Sequence, residues 1–345
     1  MRPSFTIQAN SRDITDAVKD RLLELTITDE AGIKSDQLKL TLDDRRSKNG
    51  AVAALPSIGT TLAVSLGYAE TGLRDMGSYL VDEIELRHPP ATLSVGARAA
   101  DMGGPFRSRK TRSWEATTLG AMVNVIASEH GYEAKVDSEL SGIAVPHLDQ
   151  VSESDMALLT RIAEKHDGVA KPVHGFLVLA RAGEAKATSG SALPRIELDL
   201  SEIISWSFRH SARSPGGQAK GGENKDEKQY GGFKARWWDY EAGVDKWVTV
   251  GSEPFEELPY RHKTEAEAKA AAAGKMNKGK RKEGGLSITM PGNTRVAAEC
   301  PLYIVLRPGL ATDWRITKVD HRLSGSGYTT QLEAEIFLKQ QEQVT

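Results

Sequence analysis

Apolar residues recur along this chain at two spacings, and the change from one to the other divides it. Up to about residue 100 the period is two. Leu23, Leu25 and Ile27 alternate with polar neighbours, as do Leu38, Leu40 and Leu42, then Leu62, Val64 and Leu66. The runs Tyr79 to Leu86 and Leu93, Val95, Ala97 continue the pattern. Pro56, Gly59, Gly67, Gly72, Gly77 and the Pro89-Pro90 pair punctuate it, and Gly32 can supply a positive φ between two runs. Short alternating runs at such intervals predict the strands of a barrel or sandwich.

Between Trp114 and Leu179 the spacing becomes helical. Leu119, Met122, Val123, Ile126 and Ala127 form one stripe, with Thr117 or Thr118 as the cap and Gly131 as the stop. Met156, Leu159, Ile162 and Ala163 form a second, with Ser154 as N-cap, Asp155 in the first turn and Gly168 as the C′ glycine. Val173 to Ala180 then predicts a strand.

Period two returns in Ile196, Leu198, Leu200 and in Ile204, Trp206, Phe208, the latter giving a strand from Ile203 to His210. Arg181 to Leu193 is a Gly/Ala/Ser/Thr surface loop, and 211–230 is a glycine-rich polar stretch read as a mobile loop. Phe233, Ala235 and Trp237, a turn at Ala242-Gly243, and Trp247, Val248 and Val250 predict a hairpin. An Ala-rich helix over 264–278 opens with Thr264 and Glu267 in capping-box spacing. Leu286 to Met290, Leu302 to Leu306, Trp314 to His321 and Tyr328 to Leu338 predict the last strands.

Composition narrows the class. A chain of 345 residues has room for about two domains. No apolar run reaches membrane-spanning length, and the stretch MRPSFTIQANSRDIT carries no apolar segment that would read as a secretion signal. The single cysteine, Cys300, excludes an intrachain disulfide and suits a reducing cytosol. A net charge of −2 favours no polyanionic partner, although Arg107, Arg109, Lys110 and Arg112 form a basic run suited to an acidic neighbour.

The constellations of catalysis are missing from the sequence. Gly274 to Lys280 nearly spells a phosphate loop, but Arg281 stands where Ser or Thr would hold magnesium, and a helix precedes it instead of a strand. No two histidines are four apart, and no nucleophile elbow occurs. Asp43 and Asp44 point to opposite faces of a strand, as do Asp320 and His321, so neither pair forms a metal or acid–base site. His321 reads as a structural or interface histidine. The tandem Trp237-Trp238 could stack bases or sugars, or divide between core packing and a subunit contact.

Several stretches resemble one family in order. Gln150, Glu153, Ser154, Asp155, Leu158, Leu159, Ile162 and Ala163 carry the middle of the likeness. Leu38 to Asp44, Gly59 to Tyr68 and Gly77 to Glu85 carry the first part; Trp314 to His321 with Gly325 to Leu332 carry the last. The pattern resembles the late control D proteins of contractile-tailed bacteriophages, which are baseplate hubs, and the N-terminal part of type VI secretion spike proteins. The resemblance implies a mainly β, α+β fold of two tail-tube-like β-barrels with an inserted helical module: 1–103, 104–185 and 186–345. It implies a homotrimer in the tail baseplate, assembled in the host cytoplasm, joining the tube to a trimeric spike and lining a channel. Its partners would be the tail-tube protein, the spike, wedge proteins and a tape-measure protein, with no cofactor, metal, membrane insertion, specific nucleic-acid binding or catalysis. Trp237 and Trp238 are the expected interface residues. A hub-associated cell-wall-degrading enzyme and a nucleic-acid-binding protein are the alternatives.

Overall fold

A computed structural model describes residues 1–32, 35–46, 52–99, 106, 108–166, 168–173, 176–181, 194–210, 230–281 and 283–337. The glycine-rich stretch expected to be mobile lies, but for Tyr230, outside the described residues. So does Arg107 of the basic run.

The first part is β1 (Pro3–Ala9), β2 (Arg12–Asp13), α1 (Thr15–Lys19), β3 (Leu22–Glu30), β4 (Gln37–Asp43), β5 (Thr61–Tyr68), β6 (Gly72–Arg87) and β7 (Thr92–Ala99). The alternating residues of the sequence do face inward here, where Leu25, Ile27, Leu38, Leu40, Leu62, Leu66, Leu93 and Val95 share one core with Phe5 and Ile7. Leu23 breaks the expected pattern and is exposed, because the pairing slips between Leu22 and Glu24. Gly32 and Gly59 take the positive φ their positions require.

The middle part is β8 (Arg109–Thr118), α2 (Leu119–Glu129), β9 (Glu133–Val136), α3 (Ser138–Ser141), β10 (Ala144–Ser154), α4 (Asp155–Lys165), β11 (Gly168–Val173) and β12 (Phe176–Arg181). The Thr118 and Ser154 hydroxyls accept from the Ala121 and Ala157 amides, so both helices start where their caps placed them. All five stripe residues of α2 are buried. In α4 the buried set is Leu158, Leu159, Ile162 and Ala163 with Asp155, and Met156 is only partly covered. Gly168 does not act as a left-handed stop. It opens β11, where a Cβ would come within 2.9 Å of the Ala180 carbonyl, so it is needed for close strand approach. The connector between α2 and α4 holds β9, α3 and β10, and the basic run is the strand β8, paired to β10.

The last part is β13 (Ile196–Glu197), a 3-10 turn at Leu200–Glu202, β14 (Ser205–His210), β15 (Gly232–Asp239), β16 (Val244–Gly251), β17 (Phe255–His262), α5 (Glu265–Arg281), β18 (Gly284–Pro291), β19 (Pro301–Tyr303), β20 (Asp313–Ser324) and β21 (Gly327–Ile336). The expected run Ile196 to Leu200 is interrupted because the Asp199 carboxylate accepts from the Ser201 amide and turns the chain. β14 and β18 pair from Ser205↔Thr289 to His210↔Gly284, and β15 to α5 loop out between them with a core of their own around Phe233, Ala235, Ala268 and Ala272.

One sheet joins the two ends of the sequence. Its path runs β14-β18-β21-β20-β3-β4-β7-β6-β5-β1-β2 and is open at both ends. The seam is β20 against β3, from Lys318↔Glu30 to Ser324↔Glu24. Along β6 the partner changes: Gly72 to Leu80 pairs with β5, and Tyr79 to Arg87 pairs with β7. The fold is therefore mainly β with a helical middle part, and its chain ends are stitched by hydrogen bonds.

A polar junction holds the three parts together. Lys171 of β11 donates to Asp36 at 2.6 Å and to the Glu30 carbonyl at 2.9 Å. Asp29 accepts from the Ala298 amide, and Glu299 accepts from the Gly32 amide and from Arg315. Burial, and after it the Asp36 carboxylate, push the Asp29 carboxyl up to about 6. A carboxyl raised above its unfolded value favours folding while protonated, and that contribution is lost as pH rises through about 6. Asp29→Asn is therefore expected to be more stable than the parent at pH 8, with the difference closing as pH falls to about 4, where the unfolded Asp also takes up its proton. Denaturant midpoints measured across that range check this; a gap that widens towards acid would refute it.

Candidate assembly interface

The most extensive surface feature is a face of the long sheet. From β14 across to β6, residues that alternate with the core all point the other way, and nearly all are polar. Row by row they read Ser207, Ser287, Glu333, Lys318 and Glu30; then Ser205, Thr289, Gln331, Asp320, Thr28, Gln37 and Arg98; then Thr329, Arg322, Thr26, Lys39, Gly96 and Glu83. A fourth row has Ser324, Glu24, Thr41, Ser94 and Glu85. Over β3, β4, β7 and β6 the face holds a hollow of about 440 Å³ between Glu24, Thr26, Lys39, Glu83 and Arg98. Several of its charges are paired: Arg322 with Glu24 at 2.6 Å and Arg98 with Asp82 at 2.8 Å across strands, and Lys318 with Asp320 at 2.7 Å along β20. Hydroxyls, amides and self-neutralised ion pairs make a surface that stays hydrated and offers no concentrated charge for a ligand.

The two tryptophans expected at an interface lie off this sheet. Both are half-buried in β15, the middle strand of the small sheet β16-β15-β17. Trp237 faces α5 and packs against the Phe233 and Ala235 core. Trp238, on the other face, has the Arg261 guanidinium 5.0 Å from its ring centre. That outer face continues with Trp247, over which Lys234 stands at 4.7 Å. The division between a packing and an outward tryptophan follows from period two; that they belong to a separate layer, carried between β14 and β18, was not visible in the spacing.

A buried charge cluster in the middle part went unrecognised in the sequence. Asp155, at the start of α4, is fully buried and accepts from Lys110 at 2.6 Å, Arg112 at 2.7 Å and Gln150 at 2.9 Å, with His130 Nε2 at 2.7 Å. Glu129 closes the network by accepting from Lys110 and Arg112. Burial alone would raise the Asp155 carboxyl, but hydrogen bonds from Lys110, Gln150 and His130 and the charge of Arg112 outweigh it and hold it at about 2. Glu129, His130 and Asp155 bring their ligand atoms within 4.8 Å of one another, the one such group among the described residues. It does not suit a metal, because an ammonium and a guanidinium already occupy the carboxylate oxygens. The basic run Lys110 to Arg112 thus meets the acidic neighbour that its charge called for, within the same chain.

The remaining reactive groups are placed for packing. Cys300 is buried, and burial pushes its thiol up to about 11, far from a nucleophilic thiolate. His321 is buried with Nδ1 2.9 Å from the Tyr328 hydroxyl, and burial lowers it to about 4, so the ring is neutral. Asp320 points to the opposite face and accepts from Thr28. Asp43 pairs with Arg45, and Asp44 accepts from the Ala53 amide, each in an ordinary loop role. Gly274 to Lys280 is helical throughout, inside α5. No described helix is long and apolar enough to cross a membrane.

Comparison with known proteins bears on the family and the fold. The family described as phage tail baseplate hub (GPD) matches residues 31–327. The chain is 32% identical to the probable baseplate hub protein of Escherichia phage P2, over 100% of this chain and 96% of that one. Among solved structures, the 43 kDa tail protein of prophage MuSo2 from Shewanella oneidensis superposes with a TM-score of 0.68 at 15% identity, covering 96% of this chain and 98% of that one. The E. coli c3393 protein, a component of the type VI secretion system, superposes with a TM-score of 0.57 at 10% identity, covering 100% and 79% respectively.

Proposed function

The chain belongs to the phage tail baseplate hub (GPD) family, and on that premise we propose that it is the trimeric hub through which the tube of a contractile tail meets its central spike. A baseplate hub is a component of the tail, so the chain's place is the virion. The observation that carries the finer reading is the polar face of the long sheet, with its hollow over β3, β4, β7 and β6. A β-surface that is core on one side and polar over many strands on the other is suited to face a water-filled channel.

In this reading 1–103 and 186–345 are two tube-like units, and 104–185 is a helical module on their outside. Two units per chain make six in a trimer, which matches a hexameric tube above and a threefold spike below. The work is geometric, done by matching symmetries, and neither Cys300 nor His321 is placed for chemistry. The tail-tube protein, the spike, wedge proteins and a tape-measure protein are the partners that follow. Pairing of the face's charges favours a passive lining over the nucleic-acid-binding alternative.

Light scattering of the purified chain, alone and with its spike, tests the reading. The expected mass is three chains. A chain that stays single in both conditions would sink the trimeric hub. Scattering mass together with an unfolding curve separates the two tryptophans. Trp238→Ala is expected to leave a folded protein with weakened assembly, as befits an outward aromatic anchor. Trp237→Ala should loosen α5 and lower the unfolding midpoint instead. Trimers unchanged by Trp238→Ala would remove it from the interface.

A further inference from the structure

We propose that the outer face of the small sheet β16-β15-β17 is a docking site for an acidic segment of a partner protein, with the Arg236 guanidinium as the group that takes the partner's carboxylate.

Period two defines this face. Phe233, Ala235 and Trp237 point to α5 and pack there with Ala268 and Ala272. Lys234, Arg236 and Trp238 therefore point the other way. Pairing sets Trp247 opposite Arg236 on one side and Arg261 opposite it on the other. Glu257 lies across from Lys234, and Asp245 across from Trp238. Aromatic groups are left open to solvent around the centre. Trp247 is 45% exposed, and Tyr260, next to Arg261 in β17, is 77% exposed.

Three cations and two acids share the face, and their pairing leaves one cation over. Lys234 meets Glu257 at 3.4 Å, and Arg261 meets Asp245 at 3.4 Å. Arg236 makes no ion pair or hydrogen bond among the described residues, and its Nε is buried without an acceptor. It also stands beside Arg261, a like charge, across the β15–β17 pairing. A buried donor without an acceptor costs stability, and so do like charges side by side. One carboxylate laid over Arg236 answers both, because it accepts from the guanidinium fork and lowers the repulsion from Arg261.

Two features select a protein over a nucleic acid or a glycan. Bases and sugars bind such faces by stacking on open rings, and here each ring already carries one of the chain's own cations. Lys234 stands 4.7 Å from the centre of Trp247, and Arg261 stands 5.0 Å from that of Trp238. A phosphate backbone needs a track of free cations, whereas Lys234 and Arg261 are neutralised by Glu257 and Asp245. What remains is a single free guanidinium between Trp247 and the Arg261–Tyr260 strand. Trp, Tyr and Arg are the residues that dominate the energetic centres of protein interfaces. Trp238 sits at the end of the face, screened by Arg261, and is not part of the site.

A fluorescein-labelled decaglutamate peptide, titrated with the full chain at low salt and followed by anisotropy, tests the site. The parent is expected to bind decaglutamate and to leave decaglutamine free. Arg236→Gln is expected to weaken the decaglutamate complex about tenfold or more, as loss of a charge-assisted fork should. Arg236→Lys keeps the charge without the fork and should fall between. Arg322→Gln, on the polar face of the long sheet, should change nothing. Because Arg236 bonds nothing within the described chain, Arg236→Gln is also expected to keep the parent's thermal midpoint and scattering mass. A parent that does not bind decaglutamate, or binding unmoved by Arg236→Gln, overturns the proposal. So does a fall in midpoint, which would make Arg236 a structural residue, or a fall in mass, which would make a second copy of this chain the occupant. Labelled oligothymidylate bound more tightly than decaglutamate, and lost with Arg236→Gln, would show a nucleic-acid face and overturn it as well.

Discussion

Asp155→Ala is expected to cost about 1–3 kcal/mol of stability, measured by denaturant unfolding at neutral pH, because it removes the buried acceptor at which four side chains direct their donors. Lys110, Arg112, His130 and Gln150 all direct a donor at this one carboxylate, and it is fully buried. Glu129 alone would face both cations. The loss also removes an acid from the first turn of α4, where it favours the positive helix pole. The network joins β8, β10, α2 and α4, so the middle part should loosen as a unit.

The pH dependence gives a second signature. The Asp155 carboxyl is held down, at about 2 in the folded protein, below the usual unfolded value. Its contribution is present above the unfolded value near 4 and fades as pH falls through the folded one, so the penalty of Asp155→Ala should shrink towards pH 2. Asp155→Asn keeps the shape but not the charge and should fall between the two. A penalty below about 1 kcal/mol at pH 7 would mean that the cluster is solvated and not a structural node.

Trp314→Ala is expected to destabilise the last part of the chain by about 3–5 kcal/mol, the range for emptying a large core site. Trp314 is fully buried in the core made by Leu286, Ile288, Leu302, Ile304, Ile316 and Leu332. It stands opposite Leu302 on one side and Ile336 on the other, with Phe208 edge-on at 5.8 Å. Its indole N–H donates to the Ala311 carbonyl at 3.1 Å, a bond that truncation also removes. Trp314→Phe should recover part of the loss by refilling the ring's volume. Unfolding by guanidinium reads the loss; equal stability of parent and alanine variant would show that the site collapses without a cavity.

Much of this protein was legible in one dimension. Period two around Leu25, Leu40, Val64 and Val95 determined strands and their inward faces, since a pleated strand turns alternate residues to the core. Thr118 and Ser154 determined where α2 and α4 begin, because an N-cap is a contact between residues three apart. The ordered motifs placed the family, which the likeness to the phage P2 protein bears out. Wherever a cause spans only a few residues, the spacing contained it.

What the sequence could not contain were causes acting across distance. Lys110 and Arg112 read as a loose basic run until β8 met β10 and brought Asp155, more than 40 residues away, into contact with both. Trp237 and Trp238 read as part of a final barrel until β14 and β18 paired around the segment that carries them. The polar face needed the seam of β20 on β3, which sets Arg322 beside Glu24 across 298 positions of sequence. Alternation fixes which way a side chain points from its own strand, but the order of strands in a sheet is set by pairings whose closure entropy grows only slowly with loop length. Distant strands can therefore become neighbours at little extra cost, and which ones do so was decided by the fit of the whole core and not by any stretch of the chain.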